Sequence, residues 1–282
     1  MSYVERQIDF TIKLEEGTFD GANNTVTLTG LRASVELVYA GADAKALMSA
    51  RIYGLPLSMM NQLTRIGPIN AVGEGNTILV AAGNKGSALS TVFIGNIVQA
   101  WADMQAQPDA ALVIVGLPAA DAQVKPAQAS SFIGATDVAT TMQGFATQMN
   151  LTFENHGVKV SLASPYFAGT VITQLQSCAR AADINYSIEK GALVIWPKDG
   201  FRDGDVPMIS PETGMVGYPV YSSMGVSVTT EFIPNVNMGG QVQIKSSLAP
   251  ATGTWNVFEV IHQLESEKPD GAWFTQISAY PA

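Results

Sequence analysis

Gln7-Ile8-Asp9-Phe10-Thr11-Ile12-Lys13-Leu14 alternates polar and apolar residues without a break. In an extended chain successive side chains point to opposite faces, so Ile8, Phe10, Ile12 and Leu14 share one face and the polar set takes the other. Thr25–Thr29 and Leu31–Leu37 follow the same rule. Strands of this kind build antiparallel sheet with one dry face and one wet face. The grammar returns near the other end of the chain, in Gly225–Thr229, Gly240–Lys245, Thr254–Leu264 and Gly271–Tyr280.

Outward from that stretch, strands are expected at about 7–16, 24–29, 31–40 and 46–54. Pro56 then opens a short helix with Met59, Met60 and Leu63 on one side. Thr77–Ala82, Thr91–Ala100 and Ala110–Gly116 read as further strands, punctuated by Gly73-Glu74-Gly75-Asn76 and Gly83-Asn84-Lys85-Gly86. Short strands with regular Gly/Asn breaks suggest a barrel or sandwich. Ala119–Ser131 has no periodicity and reads as a linker. Two helices follow. One starts near Thr136, with Val138, Met142, Phe145, Ala146 and Met149 on one face; the other starts near Thr170, with Ile172, Leu175, Cys178, Ala179 and Ala182 on one face. Each runs into a strand, and Asn150–Gly157 is echoed by Asn185–Gly191. A second strand is expected after each Gly turn, Val158–Val160 in one copy and Leu193–Ile195 in the other. Two helix–strand–strand units make a small α/β region rather than a solenoid. The expected fold is therefore mainly β with an α+β insert: a first β-barrel domain over 1–124, the insert over 125–206, and a second β-barrel region over 207–282.

Of 282 residues, 47% are hydrophobic and only 14% charged, well below the usual share of about 25%. Surface that avoids charge belongs either to subunit interfaces, whose cores are charge-depleted, or to a Thr/Ser/Asn/Gln-covered soluble protein. The net charge of −9 argues against a phosphate-gripping surface, which needs clustered Lys and Arg. An acidic wall would instead let DNA slide past. The single cysteine, Cys178, forms no internal disulfide, which suits folding in the cytoplasm. The first residues show no apolar signal core. The longest apolar run, Ala110–Ala120, is interrupted by Gly116 and Pro118 and falls short of the roughly 20 residues a membrane span needs.

Chemistry is hard to find. Gly83-Asn84-Lys85-Gly86-Ser87 lacks phosphate-loop spacing and reads as a hairpin turn. Cys178 lies on an apolar helix face, where a thiol acts as a small hydrophobe. His156 and His262 are far apart, without zinc spacing, and both are expected at a surface or sheet edge. Asp199, Asp203 and Asp205 could surround a calcium ion, but a solvated turn fits the spacing better. Trp196, Trp255 and Trp273 sit in strand patterns and read as packing residues; with Trp101 they could otherwise line a sugar groove. No catalytic, cofactor or metal residues are assigned.

Two stretches carry a resemblance. In Ala50-Arg51-Ile52-Tyr53-Gly54-Leu55-Pro56-Leu57-Ser58-Met59-Met60-Asn61-Gln62-Leu63 a strand bearing Arg and Tyr runs into a short helix ending in Asn-x-Leu. The other is Pro207-Met208-Ile209-Ser210-Pro211-Glu212-Thr213-Gly214-Met215-Val216-Gly217-Tyr218-Pro219. With the two helix–strand–strand units between them, the chain resembles baseplate hub proteins of contractile-tailed bacteriophages. The resemblance implies two tube-type barrels per subunit and a homotrimeric ring with a pseudo-six-fold face. That ring would mate with the tail tube protein on one side and the trimeric spike on the other, among other baseplate proteins. DNA would pass through the lumen only, and the chain, made in the host cytoplasm, would end in the virion without inserting in a membrane. No fused lysozyme domain is visible. A receptor- or sugar-binding tail module (through Trp255 and Trp273) and a cell-wall hydrolase (through Asp203 or Glu154) are the alternatives. Under the hub reading, interface residues are expected at Phe10 and Phe19 in the first hairpin, at Arg51, Tyr53 and Asn61 around the short helix, and at Thr213, Met215 and Tyr218 opening the second β region.

Overall fold

In a computed structural model, which describes residues 4–19, 21, 23–40, 46–64, 75–105 and 108–282, the first alternating stretch forms β1 (Arg6–Lys13). Ile8, Phe10 and Ile12 are buried, as the period-2 pattern dictates. The first β region continues with β2 (Thr25–Leu28), β3 (Ala33–Ala40), β4 (Leu47–Tyr53), the helix α1 (Leu57–Leu63), β5 (Thr77–Asn84), β6 (Ser90–Asp103) and β7 (Ala111–Leu117). Pro56 immediately precedes α1, which buries Met60 and Leu63. Of the expected turn before β5, Gly73 and Glu74 lie outside the described residues. The Gly83–Ser87 stretch turns β5 into β6, with Ser87 N–H donating to the Asn84 carbonyl.

After α2 (Asp121–Val124), the insert holds β8 (Ser130–Ser131), β9 (Ala135–Asp137), α3 (Val138–Gln148), β10 (Thr152–Asn155), β11 (Ser161–Ala163), β12 (Tyr166–Phe167), α4 (Val171–Ala182), β13 (Ile184–Glu189) and β14 (Ala192–Pro197). The 119–131 segment is thus more than a linker. Gln123 N–H donates to the Ala120 carbonyl and Lys125 N–H to the Asp121 carbonyl, closing a helical turn, and β8 pairs with β12. Asp137 and Thr170 cap α3 and α4 by accepting from Thr140 and Thr173 N–H. The repeat also diverges at its second strand. After β13, Lys190 (φ 49°) and Gly191 (φ 81°) make a two-residue turn of the kind that matches strand twist, and a hairpin forms. After β10, Asn155 accepts from Val158 N–H and donates to the Val158 carbonyl. Those bonds take the groups a ladder would need, so Val158–Val160 is not a strand and the chain leads on to β11, which pairs with β9. β10, β14 and β13 form a three-stranded sheet in that order.

The last β region comprises β15 (Met208–Ile209), β16 (Met215–Ser222), β17 (Gly225–Glu231), β18 (Gln241–Ile244), β19 (Gly253–Ser266) and β20 (Trp273–Pro281). Both β regions join one 13-stranded sheet, ordered β16-β17-β20-β19-β3-β4-β7-β6-β5-β1-β2, with β18 on β19 and β15 on β18. Inside it the same unit occurs twice. The first region reads β3-β4-β7-β6-β5 across the sheet and the last reads β16-β17-β20-β19-β18. Chain order and antiparallel pairing agree strand for strand. The long members β6 and β19 each span 14 residues, and each carries a register shift, at Ile97/Gln99 and Val257/Glu259. The units are joined where β3 lies antiparallel to the C-terminal half of β19, from Glu259↔Ala40 to Ser266↔Ala33. One apolar cluster runs through both.

His262 is not at a surface or edge. Its neighbours Val260 and Leu264 point into the core, and alternation along β19 takes His262 with them to full burial. The imidazole bonds Thr275 Oγ1 through Nδ1 at 2.9 Å and lies edge-on to Tyr39 and Phe232. Trp196, Trp255 and Trp273 are buried packing residues, and Trp255 donates its indole N–H to the Ala251 carbonyl.

The insert docks on the last β region through the second face of β14. Ala192, Val194 and Trp196 pack with Met238, and a Cβ on Gly239 would sit 2.4 Å from the Trp196 ring. Lys190 Nζ donates to the Pro234 carbonyl and Asn237 Oδ1, both at 2.8 Å. Arg202 pairs with Glu189, which is 2% exposed, and with Glu154.

Candidate assembly surfaces

The segment Ser210–Gly214 sets the start of β16. Thr213 N–H donates to the Ser210 carbonyl, Ser210 N–H donates back to Thr213 Oγ1 at 2.8 Å, and Gly214 takes a left-handed φ of 100°. Thr213 is therefore an exposed turn residue with a structural task. β16 itself is an end strand of the sheet, with no strand on its far side among the described residues. Val216, Tyr218, Val220 and Tyr221 on it, and Met224 in the turn after it, are all exposed, Tyr218 at 68%. Pairing with β17 breaks between Val216 and Val220, where Gly217 (φ 72°) and Pro219 interrupt the ladder.

Arg51 and Tyr53 share the outward face of β4. The Arg51 guanidinium pairs with Asp103 at the end of β6, and Tyr53 stacks under Arg32, 4.5 Å from its ring centroid. Asn61 is exposed on α1. β4 and β16 are five strand steps apart in the sheet, roughly 24 Å at the usual strand spacing. The expected interface residues therefore form two separate groups. Three of them belong to neither. Phe10, Phe19 and Met215 are buried in the core, the first because it falls on the dry phase of the alternation and the last because the Gly214 turn points it inward. Val216, Val220, Tyr221 and Met224 are exposed instead. A sequence signal for them existed: Thr213–Thr230 holds no charged residue.

On β3, β17, β19 and β20 the wet face of the sheet carries acids and no bases. Cross-strand pairing puts Glu231, Phe274, Gln263 and Glu36 in one row, with Glu265 in the next row on that face and Glu259 beyond the Ile261 row on the other side. Along β3, β17, β19 and β20 no Lys or Arg points the same way. Asp203 and Asp205 line a small pocket with Arg202, Asn235, Asn237 and Gln241. Among the described residues no three His, Cys, Asp or Glu side chains converge on a metal position, and no helix is long and apolar enough to cross a membrane. Burial pushes the Cys178 thiol up to about 11, so it stays protonated and inert at neutral pH.

Solved structures with this fold come from tail machinery. A tail protein of Neisseria meningitidis MC58 superposes with a TM-score of 0.65 at 10% identity, covering 96% of either chain. The 43 kDa tail protein of prophage MuSo2 from Shewanella oneidensis gives 0.61 at 11% identity, over 97% of this chain and 96% of that one. A type VI secretion component of E. coli, described as similar in structure to the T4 tail proteins gp27 and gp5, gives 0.60 at 11% identity over 96% of this chain and 76% of its own. At these identities the likeness is one of fold, and the fold class is that of β-rich phage tail proteins. No curated protein sequence matches the chain. The family model of the baseplate hub gp41 matches residues 49–276. The chain belongs to that family and has a structural role in a phage tail baseplate.

Proposed function

We propose that three copies of this chain close into the ring that joins the tail tube to the central spike, leaving a channel for DNA ejection. The observation that carries this reading is the doubled β unit. A ring that presents six similar faces from three chains needs two similar folds per chain, and the unit β3 to β7 recurs as β16 to β20. We take 1–124 and 207–282 as the two tube-type domains and 125–206 as the insert on their rim. The acidic wet face would line the lumen, where Glu36, Glu231 and Glu259 repel phosphates and keep DNA from sticking. Arg51, Tyr53 and Asn61 would serve one contact, and Thr213 and Tyr218 another. The role is structural rather than enzymatic, with no cofactor. The protein would be made in the host cytoplasm and finish in the virion. Neighbouring folds include the E. coli protein compared with gp27 and gp5 and a chain of the Francisella PdpA–VgrG complex, which supports association with other tail components. The test is native mass of the chain alone and with tube and spike proteins. A species three times the 29.8 kDa of one chain, alone or in those complexes, is the expected result. A strict monomer under all of these conditions contradicts it.

A further inference from the structure

Lys190 is out of place on two counts. It takes the first position of the β13–β14 turn, with a left-handed φ of 49°, where Asn and Gly are the usual residues. Its side chain then turns inward to two neutral acceptors, the Pro234 carbonyl and Asn237 Oδ1, each at 2.8 Å. Glu189, the buried carboxylate beside it in the chain, is paired with Arg202. A buried ammonium held by neutral groups pays a desolvation cost that an uncharged nitrogen does not. Burial accordingly lowers the pKa of the Lys190 amine, against the pull of the Glu189 charge and with the push of Arg202. The share of free amine, which is a nucleophile, rises with that shift.

We propose that Lys190 and Asn237 join in an isopeptide bond, made by the chain on itself, which fastens the insert hairpin to the loop between β17 and β18. The free amine of Lys190 attacks Asn237 Cγ, one bond behind the oxygen that Nζ already touches. The Nζ–Cγ bond forms and the Cγ–Nδ2 bond breaks. Nδ2 leaves as ammonia, carrying a proton taken from Nζ, and nothing is oxidised or reduced. Glu189 is the carboxylate whose charge bears on Lys190, and it carries that proton to the leaving nitrogen.

The surroundings suit the step. Pro234 offers the amine a carbonyl at the same distance, but its leaving group is the main chain, whereas the amide nitrogen of Asn237 is free to depart. That nitrogen donates to the Asn235 carbonyl at 3.3 Å. Both asparagines line the pocket of about 130 Å³ that Arg202 and Gln241 share, which gives ammonia a way out. The reactants are also held still. A Cβ on Gly191 would sit 3.2 Å from Ile94 Cδ1, and one on Gly239 would run into the Trp196 ring. Neither the turn nor the loop has room to shift, and groups fixed in contact react as if at very high concentration. The bond also removes the Lys190 charge that bears on buried His262.

The experiment is intact mass and peptide mapping of the full chain, fresh and after prolonged warm incubation. The expected chain is lighter than its sequence by one ammonia, is not cut by trypsin after Lys190, and yields a branched peptide joining Lys190 to Asn237. A protease cut in the exposed stretch 203–206 then leaves one covalent molecule under denaturing conditions, because the bond spans the cut. Lys190→Arg keeps a cation and its donors but forms no such bond, and Asn237→Ala removes the acceptor carbon. Both variants should have their full sequence mass and fall into two pieces after the same cut. Glu189→Gln should leave a larger unlinked fraction in fresh protein; an equal fraction removes Glu189 from the step. A wild-type chain at full sequence mass after incubation overturns the bond, and so does a loss of ammonia without the branched peptide. The wild-type measurement decides the matter even where a variant fails to fold.

Discussion

Phe10 and Tyr218 show how burial separates two aromatic residues that look alike in the sequence. Phe10 is fully buried and Tyr218 is 68% exposed. Phe10→Ala should lower stability by about 3–5 kcal/mol, whereas Tyr218→Ala should stay within about 0.5 kcal/mol; denaturant unfolding measures both. His262 makes a pH prediction. Burial, with a smaller push from the Lys190 charge, drives its pKa down to about 3, against about 6.5 unfolded. The folded state keeps it neutral, so its share of stability is whole above about pH 6.5 and is lost as pH falls toward 3. Between pH 8 and pH 5 the loss is about 2 kcal/mol. His262→Gln should flatten that slope in urea titrations; an unchanged slope would assign it to other groups. Position 262 looked like an edge because polar residues usually lie there. The core phase of β19 overrode residue type, and Thr275 supplied the partner that made burial possible.

At the scale of elements, periodicity located nearly every long strand and both main helices, because core-facing residues recur at 2 or at 3.6. It did not locate elements whose cause is a single side chain. Asn155 ends the first repeat by holding Val158, and Gln174 ties β8 to α4 by accepting from Ser130 N–H. Nor could it show that the β units are one design twice over: the likeness is in pairing order, and their side chains differ. The joint between insert and sheet was equally hidden, since Glu189, Arg202 and Lys190 meet only in space. Arg202→Ala leaves Glu189 buried without its partner and should cost about 3 kcal/mol. Glu189→Leu combined with Arg202→Met should recover most of that loss. If the single change leaves thermal unfolding and protease resistance around 198–207 untouched, the joint does not hold the insert.

For the whole molecule, low charge and a doubled β unit have one explanation. The residues spared from charge lie in the core and along β16, and the acids kept on the sheet gather on one wet face. β16 ends the sheet, with no strand beyond it among the described residues. The alternation in Gln7–Leu14 made the sheet legible from sequence; which acids share a face became legible only from register. The most direct measurement is an electron-microscopy reconstruction of the assembled ring or the tail end, resolved to side chains. The account predicts three copies around the axis, with Glu36, Glu231 and Glu259 facing the channel. A different copy number, or that acidic face turned away from the lumen, would contradict it.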